Sequence, residues 1–141
     1  MSPTGQNHRH RERAQRRAAT TVEFALVCGA FFMFMLGAIE FARANQALNA
    51  TANAAYQGCR SAIIPGATAA SATSAAKSVL DASFLTGATI TVSPSTILTS
   101  TDQVTVTVAV PMNQNSWLAK LTYLSGSTIT RSCTLTREKT N

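Results

Sequence analysis

Sixteen consecutive residues, Phe24 to Ile39, carry no charge, and their large apolar side chains do not keep to one face. Phe24, Leu26, Val27, Phe31, Phe32, Met33, Phe34, Met35, Leu36 and Ile39 go all the way round a helical wheel. Such a segment is neither a surface helix nor one face of a soluble core. Extended to Thr20–Ala42 it is a 23-residue helix, about 34 Å long at ~1.5 Å per residue, enough to cross a hydrocarbon core of roughly 30 Å. A cleaved secretory signal would have a shorter apolar stretch ending at a small-x-small site. Here Glu40-Phe41-Ala42-Arg43 follows and the helical pattern continues, so the segment reads as a retained span. Gly29, Ala30, Gly37 and Ala38 lie within it as small residues that permit close helix contact, or are simply tolerated there. Cys28 reads as a small apolar filler.

The net charge of +6 would suit a nucleic-acid binder, but its distribution does not. Arg9, Arg11, Arg13, Arg16 and Arg17, against Glu12 alone, give the first 18 residues +4 and leave +2 for the rest. Basic residues flanking a span act first as a topology signal that holds that end in the cytoplasm. The chain therefore reads as single-pass, with its C-terminal part outside the cytoplasm and the lipid bilayer, not nucleic acid, as its partner. His8 and His10 stand in the same cationic stretch with no acid cluster or cysteine beside them, and read as solvated residues.

Beyond the span, Ala42 to Ile64 is rich in helix formers. Leu48, Ala52, Ala55, Cys59 and Ile63 recur at helical spacing as an inward stripe, with Asn45, Gln46, Asn49, Asn53 and Gln57 elsewhere. Pro65-Gly66 stops it, so one continuous helix is expected over 20–64. A second, Ala-rich helix is expected over Ala67–Phe84, capped by Thr68 or Ser71, with Ala75, Ala76, Val79, Leu80 and Phe84 as its apolar side and Gly87 ending it. The period then changes to two. Strands are expected at Ala88–Val92, at Val104–Val110 closed by Pro111, and at Thr128–Thr136. Between the last two lie a polar loop, Asn113–Ser116, and an apolar connection bearing Trp117, Leu118, Leu121, Tyr123 and Leu124. The plan is α+β: a long helix, half transmembrane and half amphipathic, a short helix, and a small antiparallel three-stranded sheet packed on the long helix. Three segments follow: a basic leader 1–18, a span 19–43 and an extracytoplasmic domain 44–141.

Cys59 on the inward stripe and Cys133 on the apolar face of the last strand meet if that sheet covers that helix. Either they form a disulfide or they stay two buried thiols. The bond would close a 75-residue loop and contribute about 4 kcal/mol in the chain-entropy account, and an outside location permits it.

Arg16-Arg17-Ala18-Ala19 before Val22-Glu23-Phe24-Ala25-Leu26, then Gly37-Ala38-Ile39-Glu40-Phe41-Ala42-Arg43, resemble the TadE-like family, minor pilins or pseudopilins of the tight-adherence (Tad) pilus. Ala54-Ala55-Tyr56-Gln57-Gly58-Cys59-Arg60 and Pro65-Gly66-Ala67-Thr68 are similar to that family's helix end. The resemblance covers the N-terminal half well and the strands loosely. It implies a pilin-like fold and a prepilin peptidase that cuts between Ala18 and Ala19, making Glu23 the fifth residue of the mature chain, followed by Phe24. It also implies major and minor pilin subunits and an inner-membrane assembly platform as partners. Glu23 would pair with the freed α-amine of Ala19, its own or a neighbour's; an ordinary acid favoured by a helix N-terminus is the plainer reading. Relatives usually have Gly before the cut, where this chain has Ala18. For Glu40, a local pair with Arg43 is expected.

An enzyme is not expected. No histidine lies beyond His10, Asp81 and Asp102 are isolated in sequence, and there is no phosphate loop or metal-spaced cluster, so no cofactor is implied. Two other classes remain in view. One is an uncleaved, signal-anchored binding or adhesion module, in which Trp117 and Tyr123 would serve a site rather than packing. The other is a type II secretion pseudopilin, which shares the cleavage logic.

Overall fold

The structure is a computed structural model that describes the backbone of residues 4–98, 100–116 and 126–137, and side chains from Arg16 onward. Trp117, Leu118, Leu121, Tyr123 and Leu124 lie outside the described residues. The order of elements is α1 (Thr4–Ala62), α2 (Ala69–Ala82), β1 (Thr89–Ser93), β2 (Gln103–Pro111) and β3 (Thr128–Thr136). The architecture is α+β, as the switch from helical to alternating period implies.

α1 begins well before the expected residue 20. The leader's Gln, Arg, Glu and Ala all favour helix, and nothing between Gly5 and Pro65 breaks it. It ends at Ala62, two residues short of expectation. Pro65 disfavours α geometry at Ile64, leaving Ile63 to make the last backbone bond, to the Cys59 carbonyl (3.2 Å).

The chain divides into two compact units, Met1–Ile39 and Glu40–Asn141. Among its described residues the first is helix alone. It leaves Phe24, Leu26, Phe31, Met33 and Phe34 more than 60 % exposed. A soluble protein would cover such side chains. Among the described residues, one helix is long and apolar enough to cross a membrane.

The second unit holds the core. β2 is its centre, pairing antiparallel with β1 on one side and β3 on the other. The period-two pattern of β2 places Val104, Val106, Val108 and Val110 inward at zero exposure. The register sets Ile90 opposite Val108 and Cys133 opposite Val106. Hydroxyls occupy the other face, where Thr105 and Thr134 hydrogen-bond across the strands (2.8 Å).

The buried face of α1 differs from the expected stripe. Ala47, Ala50, Thr51, Ala54, Ala55, Gly58, Cys59 and Ala62 are buried, whereas Ala52 is exposed and Leu48 and Ile63 are only half covered. Of the expected stripe, Ala55 and Cys59 are fully buried. The smallest residues face in, because they let the backbone of α1 approach its neighbours closely. A Cβ on Gly58 would stand 3.0 Å from Val106 Cγ1, 3.2 Å from the Ala72 carbonyl oxygen and 3.2 Å from Ala76 Cβ. At that one residue α1 meets both β2 and α2. Thr51 fits the same face by donating its hydroxyl back to the Ala47 carbonyl, so no polar group is left unpaired.

α2 starts with a capping box. The Thr68 hydroxyl accepts from Ser71 N–H, and the Ser71 hydroxyl accepts from Thr68 N–H, both at 3.2 Å. The two residues considered as alternative caps act together. The inward residues of α2 are Ala72, Ala76 and Leu80. Phe84 is not among them: it stands 85 % exposed, with φ +57°. α2 has already ended at Ser83, and Leu85 N–H reaches back to the Leu80 carbonyl (3.0 Å). Phe84 therefore occupies the left-handed position that closes the helix, a place usually taken by glycine. The chain turns there, three residues before Gly87.

Asn115 lies in the segment expected to be merely polar, and it is buried at 8 % exposure. Its Oδ1 accepts from Thr86 N–H (2.8 Å), and its Nδ2 donates to the carbonyls of Thr86 (2.9 Å) and Pro111 (2.7 Å). One side chain thus ties the end of β2 to the turn that enters β1.

Candidate assembly segment and cysteine pair

Ala18 and Ala19 lie within α1 and are exposed. Two hydroxyls brace the helix across them: Thr20 donates to the Arg16 carbonyl (3.0 Å) and Thr21 to the Arg17 carbonyl (2.8 Å). Arg16 and Arg17 are exposed on the turn before the alanines. The other three leader arginines, Arg9, Arg11 and Arg13, precede the residues whose side chains are described.

Glu23 is exposed, and Phe24 beside it is 69 % exposed. Ala19 and Glu23 are four residues apart and so share one face, about one turn of helix from each other. No hydrogen bond or ion pair joins Glu23 to another described residue. α1 starts at Thr4 and has no acid in its first turn. In the uncut chain Glu23 is thus a mid-helix carboxylate and not a first-turn acid. Removing residues 1–18 would bring it into the first turns of the helix, where negative charge is favoured.

Glu40 is the first residue of the second unit and is buried at 6 % exposure. Its Oε1 has no hydrogen-bond partner among the described residues.

Cys59 and Cys133 are brought together, both as free thiols. Cys59 has zero exposure, and its Sγ–H points at the Cys133 carbonyl (2.8 Å), with the Val104 carbonyl farther off at 3.7 Å. Burial, reinforced by the hydrogen bond to the Cys133 side chain, pushes the Cys59 thiol from its ordinary 9.0 up to about 11. Cys133 is partly exposed. Cys28 belongs to the first unit and is also a free thiol. No group of three or more His, Cys, Asp or Glu among the described residues is placed to hold a metal ion.

The fold and the segment define a class: an α+β domain whose first helix is also the one membrane-length apolar helix among the described residues. Residues 18–60 match the TadE-like protein family, so this part of the chain carries the TadE-like signature. The match starts at Ala18, the residue expected to precede the cut, and ends one residue after Cys59. It points to a component associated with the Tad pilus. No curated protein and no solved structure matches the chain.

Proposed function

We propose that the chain is a minor pilin or pseudopilin of a Tad-type system, a structural subunit without catalytic chemistry. The observation that carries this reading is the pairing of two features on α1. A single carboxylate, Glu23, stands exposed at the head of an uncharged run whose large apolar side chains are exposed on every side. Lipid alone would satisfy the apolar residues but not Glu23, since a carboxylate at a helix centre costs about 2.5 kcal/mol or more in hydrocarbon. Packing of this helix against other pilin helices satisfies both, if Glu23 meets a positive charge.

That charge comes from the cut. A prepilin peptidase opens the Ala18–Ala19 peptide bond by hydrolysis, and the new α-amine of Ala19 is protonated at neutral pH unless methylated. The amine lies one helical turn from Glu23 of the same chain and is equally open to Glu23 of a neighbour. Pairing the two lowers the penalty for moving the helix from bilayer into a filament core. The leader arginines hold the N-terminus in the cytoplasm and leave the α+β domain in the periplasm or at the cell surface. Partners are the peptidase, the other pilin subunits and the inner-membrane assembly platform.

The test compares sheared-filament and membrane fractions from strains carrying wild-type, Glu23→Gln and Glu23→Ala chains. The reading expects all three to be cut and to reach the membrane, with both variants lost or strongly depleted in the filament fraction. Undiminished recovery of Glu23→Ala with filaments would overturn the role of Glu23. Complete absence of the wild type from filaments and from cross-links to other pilins would favour the anchored binding module.

A further inference from the structure

We propose that Cys59 and Cys133 are a built disulfide site, which clasps α1 to the outer strand β3 once the domain meets a disulfide oxidant. Three observations place the bond here. The Cys59 sulfur is fully buried and aimed at the backbone of Cys133 itself, 2.8 Å from its carbonyl oxygen. Cys133 stands on the inward face of β3, opposite the buried Val106. Next to Cys59, the approach of Val106 to Gly58 pins α1 against β2, so the two cysteines are held in place by packing on the adjacent residue. Cys28, in the first unit, has no such neighbour among the described residues.

The chemistry is thiol–disulfide exchange with a protein or small-molecule disulfide. Cys133 is partly exposed and is the thiol such an oxidant reaches first. Its thiolate attacks one sulfur of the oxidant, breaking that S–S bond and forming a mixed disulfide. That first attack releases the oxidant's other sulfur as a thiolate; the Cys59 sulfur then attacks Sγ of Cys133 and expels the oxidant sulfur bonded to it in the mixed disulfide, also as a thiolate. Two thiol protons go to solvent, and two electrons pass to the oxidant, which becomes a dithiol. The raised pKa of Cys59 lowers its thiolate fraction near neutral pH and slows this second step, which is carried by its being intramolecular. The bond links residues 74 apart in sequence, joining the end of the long helix to the last strand.

In cells the proposal rests on the domain facing an oxidising compartment; the bond itself can be tested without that premise. The full-length Cys28→Ala chain, purified in detergent, is equilibrated with excess oxidised glutathione, blocked with iodoacetamide and digested with trypsin. Peptide 44–60 joined to peptide 132–137 is expected, lighter by two hydrogens than the free pair and separated by reductant. Cys133→Ser abolishes the linked species, and reduction of the parent lowers its urea midpoint. Recovery of both cysteines as alkylated or glutathione-capped thiols overturns the pairing. The same digest from cell membranes separates the two premises. Linked peptides in detergent but free thiols in cells uphold the site and overturn the outward placement of the domain.

Discussion

Gly58→Ala sets two known effects against each other at one residue. Alanine in place of glycine inside a helix gains about 1 kcal/mol in intrinsic propensity. The new methyl group, however, would stand 3.0 Å from Val106 Cγ1, 3.2 Å from Ala76 Cβ and 3.2 Å from the Ala72 carbonyl oxygen. Two of these neighbours belong to residues with zero exposure, and the third is backbone of α2, which cannot rotate aside. Overpacking of this kind costs about 1–3 kcal/mol, and three rigid contacts put it in the upper part of that range. The expected net effect is a loss of about 1–2 kcal/mol. Urea unfolding of the detergent-solubilised chain, followed by circular dichroism, reads it as a lower midpoint with an unchanged slope. Gly29→Ala, where nothing lies within 4 Å of the added atom, should show no such loss. Val106→Ala combined with Gly58→Ala should cost less than the two changes summed, because the shortened side chain makes room. A Gly58→Ala chain about 1 kcal/mol more stable than wild type would refute the close approach of α1 to the sheet.

Further outcomes follow from single residues. Asn115→Ala removes four hydrogen bonds and leaves backbone groups of Thr86 and Pro111 without partners, so urea unfolding should show a loss of about 2–4 kcal/mol. Phe84→Gly should raise stability by about 1 kcal/mol in the same titration, because the left-handed backbone is relieved while an 85 % exposed ring has little burial to lose. In the reduced protein, stability should be full below about pH 9 and fall as pH rises toward about 11. The folded state holds the Cys59 proton more tightly than the unfolded state, so the unfolded chain binds fewer protons in that window. The oxidised protein should not show this fall, which pH-dependent unfolding with and without reductant will compare.

Much of this architecture was legible because periodicity survives in the sequence. Alternating valines from Val104 to Val110 mark β2, and the run Thr128–Thr136 marks β3 with its observed ends. Thr68 and Ser71 announce the start of α2 through local chemistry. The inward face of α1 was harder to read. In a segment so rich in alanine, stripes one residue apart look alike, and close approach to a sheet favours the smaller one. Asn115 was missed because its partner Thr86 lies 29 residues away, a relation no local pattern carries. Phe84 was misplaced because a phenylalanine four residues after Leu80 continues the apolar stripe, while its backbone has already turned into the left-handed region. The candidate site divides in the same way. Glu23 is conspicuous as one charge at the edge of an uncharged run, and the Cys59–Cys133 proximity follows from face and register. The proposed scission at Ala18–Ala19 would be chemistry performed by another protein, and the fold shows there only exposed alanines on a helix that continues past them.

The most direct test of the account is the N-terminal sequence and intact mass of the protein recovered from host membranes in which prepilin peptidase is active. The account predicts a chain that begins at Ala19, with Glu23 its fifth residue. A chain that begins at Met1 or Ser2, while other pilins in the same membranes are cut, would contradict it.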